Sequence, residues 1–331
     1  MRATHHLTLL TAVALIGHAY LTQDTCSWNS LSSIFEQYMC SPVNVINHLG
    51  DVRARETSRQ RNGSGDPKRN IWLTSPDCFG EYCVYTNNDF FGEGISSITT
   101  VLNHHRIKQI QAPEIGSKSD YGNFQMVRIP AKGRGLAATR AIRRGERIMA
   151  AKPALLVHRD VFSGLPLQDV YSLMNMAVDS LSKSRKASYL AQAGTMGGHE
   201  ITDIMFTNSF QIALGDRDGF HYGNFPEVSL LNHDCRPNLA FYIDQNLTHY
   251  THAVRDIKPG EELTISYSDP LQVRSVRQER MRNSLGFSCG CSHCILPKKE
   301  SDASDGRLLT ISRIASELSN FDSKTFSPAM I

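Results

Sequence analysis

No cysteine occurs between Cys83 and Cys235, although the 331-residue chain has eight. The gap leaves an early four (Cys26, Cys40, Cys78, Cys83) and a late four (Cys235, Cys289, Cys291, Cys294), which need separate explanations. Charge of one sign is also lacking. The 35 Lys and Arg stand against 32 Asp and Glu, a net +3, which excludes a nucleic-acid scaffold built on massed basic residues. No uninterrupted apolar run approaches ~18 residues, the length a spanning helix needs, and no internal repeat is present. What remains is ordinary: hydrophobic residues at 40% and charged residues at 20% suit a soluble globular chain. Its length leaves room for two domains, or for one with extensions.

The first nineteen residues, MRATHHLTLLTAVALIGHA, read as a short polar start, an apolar stretch Leu7–Ile16 and small residues before a cleavage after Ala19. That is a signal-peptide pattern; a buried N-terminal helix is the alternative. Behind such a leader the early cysteines suit two disulfides, with three pairings open. Sequons at Asn62 and Asn246 agree with secretion. The basic stretch Arg53–Asn70 is rich in Gly, Ser and Pro and reads as a solvated loop, with a nucleic-acid contact as the alternative.

Strand-like runs occur at Tyr82–Thr86 and Ile95–Leu102. From Phe124 to His158, short apolar runs are punctuated by Gly133, Gly135 and Gly145, as in strands joined by glycine turns. Between Asp169 and Ala193 the spacing becomes helical, with Val170, Leu173, Met174, Ala177 and Leu181 on one face. Strand signals return at Leu239–Asp244, Leu247–Val254 and Glu262–Tyr267. A helix follows, stopped at Gly286. The region is therefore mainly β with an α insert. The tail from Lys298 is charged and Ser-rich, with one amphipathic stretch.

Chemistry concentrates in two places. Cys289-Gly-Cys291-Ser-His-Cys294 supplies three thiols within six residues, one ligand short of a tetrahedral Zn²⁺ site. His293 adjoins Cys294, where a simultaneous bite is awkward, so Cys235, brought from a distance, is the better fourth ligand. A disulfide pair or free thiols is the alternative. Cys235 lies in LNHDCRPN (Leu231–Asn238), which alone could be a polar turn, or half of a Cys/His catalytic pair. The second reading is poor, because His233 and Cys235 are two residues apart and such pairs meet from distant segments.

Four segments in order resemble the SET-domain protein lysine methyltransferases: GRGLAATRAIRRGE, LNHDCRPN, GEELTISY and FSCGCSHC. They cover about residues 120–297. TNSF (Thr207–Phe210) and the helical insert are similar to the SET-and-MYND branch, without its MYND module. The leader-like start and Cys-bearing extension resemble single-SET proteins of filamentous fungi. The resemblance implies an α+β, mainly β fold: short sheets, a helical insert and a zinc-bound post-SET segment. It divides the chain into a signal peptide (1–19), an N-terminal extension (20–115), a SET domain (116–270, insert about 159–206), a post-SET zinc segment (271–297) and a tail (298–331).

The resemblance also implies roles. S-adenosylmethionine is the expected cofactor, with structural Zn²⁺ on Cys235, Cys289, Cys291 and Cys294. Cofactor contacts fall on Gly133, Arg134, Gly135, Leu136, Asn208, Asn232, His233, Tyr267 and Phe287, and Tyr267 is the catalytic residue. Tyr267 and Phe287 could equally be packing, and the glycines a turn. Asp234 stands where the family carries Ser. The implied partner is a protein with a reactive lysine, such as a histone. The family points to nucleus or cytoplasm, the N-terminus to the secretory pathway. A SET fold serving only as an interaction module, or acting on a small molecule, is the competing function.

Overall fold

The computed structural model describes residues 71–110, 122–214 and 219–319. The leader-like start, Arg53–Asn70, the Asn62 sequon, Cys26 and Cys40 lie outside the described residues. Within them, thirteen strands in three sheets and seven α-helices form a mainly β fold with a helical insert and no closed barrel.

The largest sheet has the order β1 (Leu73–Phe79), β2 (Tyr82–Asn87), β3 (Ile95–Thr99), β7 (Leu155–His158), β9 (Phe220–Asn224), β8 (Ser209–Ala213). Strand β3 runs parallel to β7, with Ser96 opposite Leu155. The sheet therefore crosses the boundary expected at residue 115. Cys78 and Cys83 sit opposite each other across the β1–β2 turn and form a disulfide, one of the pairings left open by the sequence. The run Ile95–Leu102 is strand only as far as Thr99. There the Thr100 hydroxyl accepts from the Asn103 N–H and starts helix α1 (Val101–Lys108), because Thr satisfies an otherwise orphaned helix donor.

A second sheet has the order β10 (Asn232–His233), β13 (Glu262–Ile265), β5 (Gly133–Ala138), β4 (Phe124–Ile129). A third joins β11 (Leu239–Ile243), β12 (His249–Ala253) and β6 (Arg147–Ala151). Their shared core includes Leu136, Ile148, Phe225, Leu231, Leu239, Leu263 and Ile265. The insert holds α2 (Val161–Gly164), α3 (Leu167–Asp179), α4 (Lys183–Leu190) and α5 (Glu200–Asn208). Along α3, Val170, Leu173, Met174 and Ala177 are buried against Val84, Ile98 and Leu155 of the large sheet. Each such side chain contributes ~1.5–3 kcal/mol relative to exposure.

Helix α6 (Arg274–Leu285) ends where Gly286 takes φ 72°, a left-handed cap that only glycine adopts without strain. Helix α7 (Lys298–Ser319) occupies most of the expected tail and turns Ser301, Ser304 and Leu308 inward. No helix among the described residues is long and apolar enough to cross a membrane. The Asn246 sequon has its Thr248 side chain buried, where the hydroxyl accepts from Lys152 Nζ at 2.6 Å. An acceptor loop would need that residue accessible, so the sequon offers little support for secretion.

Candidate functional site

Strand β5 lies between β4 and β13, and β13 brings two distant segments together. On its far side β10 pairs in parallel, Asn232 opposite Thr264 and His233 opposite Ile265. Two residues beyond the strand end stands Tyr267. The polar residues of Leu231–Asn238 are spent on holding this crossing. The Asn238 amide donates to Glu262 O at 2.7 Å, and its Oδ1 accepts from the Thr264 N–H at 2.8 Å. Asp234 Oδ1 accepts from the Arg236 N–H at 2.7 Å, closing a tight turn. A serine hydroxyl can accept the same bond, so the carboxylate here takes a turn-forming role.

Asn232 Nδ2 donates to Arg134 O at 3.1 Å and to Glu262 Oε1 at 3.0 Å, leaving its Oδ1 free to accept. Glu262 Oε2 in turn accepts from Lys132 Nζ at 2.7 Å, so one carboxylate bridges the β4–β5 turn and Asn232. Close approach explains Gly135. A Cβ there would stand 2.6 Å from Asn232 Nδ2 and 2.8 Å from Ile129 Cγ1, closer than real side chains tolerate. Gly135 is thus a strand residue that makes room for Asn232, not a turn. Gly133 does lie at the turn, with φ 83° and open space where a side chain would be. Leu136 points into the core, only 2% exposed, so its side chain is not available to a ligand.

His233 couples the tyrosine to the cysteines. Its Nδ1 accepts from the Tyr267 N–H at 3.0 Å, which places the ring proton on Nε2, 3.3 Å from Cys235 Sγ. Burial keeps the imidazole neutral, with its pKa pushed down to about 4. The Tyr267 hydroxyl donates to Leu231 O at 2.6 Å. Burial, and then the Glu262 charge, raise its pKa, so Tyr267 is a neutral phenol that positions by hydrogen bonding and does not serve as a base. The Phe287 ring lies 6.2 Å from that of His233, carried there by the turn at Gly286.

The four late sulfurs all lie within 4.8 Å of one another, so this cluster can hold a metal ion. Tetrahedral thiolate coordination at ~2.3 Å requires sulfurs ~3.8 Å apart. Cys235 Sγ is 3.9 Å from Cys289 Sγ and 3.5 Å from Cys294 Sγ, so the residues fit. Hydrogen bonds from Cys235 and Cys289 stabilise a thiolate on Cys291, whose pKa is lowered accordingly. His293 turns away, its Nε2 3.4 Å from Ser304 Oγ. Gln278 on α6 grips the Cys289 backbone at both ends, donating to its O at 2.6 Å and accepting from its N–H at 3.1 Å.

The remaining candidates gather around residues 191–197. Arg134 donates to Ala191 O, and Asn208 Nδ2 donates to Ala193 O at 2.7 Å. A Cβ on Gly286 would stand 3.9 Å from Thr195 O, so the same loop borders the segment leading to Phe287. Asp203 anchors it, accepting from the backbone N–H groups of Thr195, Met196 and Gly197 at 3.0, 2.8 and 2.9 Å. Asp203, Glu262, Asn238 and Gln278 were not singled out by sequence reading. Glu262 and Asn238 at least fall inside the quoted motifs; Asp203 and Gln278 carry no local signal.

A glycine-started strand, an Asn-His strand on the other side of β13, a tyrosine just past the end of β13 and a cysteine cluster are thus brought to one place. Residues 133–268 of the chain match the SET domain family. Among the relatives it resembles is human histone-lysine N-methyltransferase SMYD3, 39% identical over 100 residues, 30% of this chain and 23% of that protein. Human N-lysine methyltransferase SMYD2 is 39% identical over 95 residues, 28% of this chain and 21% of that protein. The Schizosaccharomyces pombe histone-lysine N-methyltransferase set5 is 29% identical over 178 residues, 54% of this chain and 52% of that protein. The chain thus spans between a fifth and about half the length of these curated relatives.

Proposed function

We propose that the protein transfers a methyl group from S-adenosylmethionine to the side-chain amine of a lysine in a protein substrate. The observation that carries this is Asn232-His233 paired on β13, with Tyr267 fixed at both ends: its neutral phenol donates to Leu231 O and its backbone N–H to His233 Nδ1. When bound, S-adenosylmethionine supplies an electrophilic methyl on a positively charged sulfur. Asn232 would receive the cofactor's amino-acid end through its free Oδ1, and Arg134, Gly133 and Asn208 would border it. Phe287 would cover its adenine side. Zinc on the four cysteines would hold the Asn232-His233 strand in register through Cys235.

The lysine must arrive neutral. With an ordinary pKa of ~10.4, its deprotonation at pH 7 costs ~4.6 kcal/mol. The partly buried rings of Tyr267 and Phe287 and the buried, neutral His233 oppose a charged amine and lower that cost. Tyr267 Oη then orients the nitrogen lone pair; the gain is in alignment. Names of the relatives include histone-lysine and N-lysine methyltransferases, which supports a protein acceptor, histones among them.

Calorimetry with S-adenosylmethionine, followed by methyl transfer into a protein lysate, tests the reading. Binding at one site and methyl-lysine in the product support it. The Cys78–Cys83 disulfide favours a second reading, a SET fold matured in an oxidising compartment as an interaction module. Zinc-loaded protein that binds no cofactor selects that one.

A further inference from the structure

Arg277, on α6, is fully buried at 0% exposure. Its Nη1 donates to Gln272 O, while Nε and Nη2 have no hydrogen-bond partner. A guanidinium remains charged at physiological pH and presents five donors. Burying one without a counter-charge is strongly unfavourable. Yet among the described residues no ion pair includes Arg277. Its surroundings are the cysteine cluster. Its charge acts on Cys235, His233, Arg236 and His293, and Gln278, the next residue of α6, grips the Cys289 backbone. Met281, one turn further along α6, packs against Cys235, Cys289 and Cys294.

Four thiolates around one divalent cation carry a net charge of about −2. We propose that Arg277 is the buried counter-cation of the four-cysteine centre, its two unpartnered N–H groups serving the metal-bound sulfurs. This gives both halves a reason. The centre's excess negative charge is balanced inside the protein, and the guanidinium has an anion in place of a carboxylate. Balancing charge at the thiolates favours metal retention, and through Cys235 it steadies the Asn232-His233 strand. The inference rests on metal occupancy of the cluster, so its test starts from the metal.

The experiment is zinc affinity by chelator competition on the full chain, in wild type, Arg277→Lys and Arg277→Met, with thiol alkylation as a second readout. Lys and Met have similar stems and differ in charge. Arg277→Met should lose zinc affinity by about 10–100-fold, as groups bonded to metal ligands do when removed, with faster alkylation of Cys235. Arg277→Lys should stay within about tenfold of wild type. Equal zinc affinity in the two variants overturns the proposal while leaving the metal site standing; a wild-type protein that takes up no zinc removes both. If the Met variant is recovered only unfolded, the Lys variant decides. Retained zinc supports the charge argument, and zinc loss from a folded Lys variant overturns it.

Discussion

Gly135→Ala would place a methyl group where the structure has none to spare. The new Cβ would meet Asn232 Nδ2 at 2.6 Å and Ile129 Cγ1 at 2.8 Å. Two routes relieve the clash. Swinging Asn232 away gives up its bonds to Arg134 O and Glu262 Oε1, at ~0.5–1.5 kcal/mol each. Displacing Ile129 and its strand costs ~1–3 kcal/mol, the usual range for overpacking. Either route predicts a stability loss of ~1–3 kcal/mol. The first also moves the residue proposed to receive the cofactor, so S-adenosylmethionine affinity should fall about tenfold or more, since each tenfold corresponds to ~1.4 kcal/mol. Gly145→Ala is the control. Its φ is 84° with nothing within 4 Å, so it should lose ~1–2 kcal/mol from backbone strain alone and keep its cofactor affinity. Thermal unfolding and calorimetry measure both quantities. A Gly135→Ala protein with wild-type stability and affinity would refute the claim that Asn232 occupies that space for a purpose.

Tyr267→Phe should keep cofactor affinity within a few-fold while methyl transfer drops sharply, because only a positioning hydroxyl is removed; a fully active variant would make Tyr267 packing. Since its pKa is raised, Tyr267 should produce no break in the rate–pH profile below its ordinary value of ~10, and any stability tied to it is complete below that pH and lost above it. Asp203→Asn should weaken three bonds to the loop and cost ~1.5–3 kcal/mol, seen as faster amide exchange at Thr195–Gly197; unchanged exchange would mean the loop holds itself. Chelation of zinc should expose Cys235, Cys289, Cys291 and Cys294 to alkylation and lower cofactor affinity, as mass spectrometry and calorimetry would show; full affinity in the metal-free protein would uncouple the two sites.

Elements with a strong local signal were legible in the sequence. The α3 face at Val170, Leu173, Met174 and Ala177 is buried as its spacing requires, and Gly286 stops α6 because no other residue takes that φ so readily. The LNHDCRPN question resolves the same way: a proline-locked segment whose Asn, His and Cys each meet a different distant partner. Other features depend on proximity that no short window encodes. β8 and β9 come from Ser209–Ala213 and Phe220–Asn224, too short and polar to stand out. Gln278 is eleven residues from Cys289, and Asp203 lies beyond a loop that only the folded insert brings to it. Arg277 reads as one of several arginines on a charged helix; its complete burial belongs to the packing of α6 against the cysteines.

The central claim is tested most directly by incubating zinc-loaded wild-type protein and its Asn232→Ala variant with methyl-labelled S-adenosylmethionine and a protein lysate, then identifying the labelled residue by mass spectrometry. Methyl-lysine is expected from the wild type. From the variant little or none is expected, with cofactor binding weakened by ~1–3 kcal/mol through loss of the Asn232 side chain. Wild-type protein that binds no S-adenosylmethionine, or a variant that transfers methyl groups equally well, would contradict it.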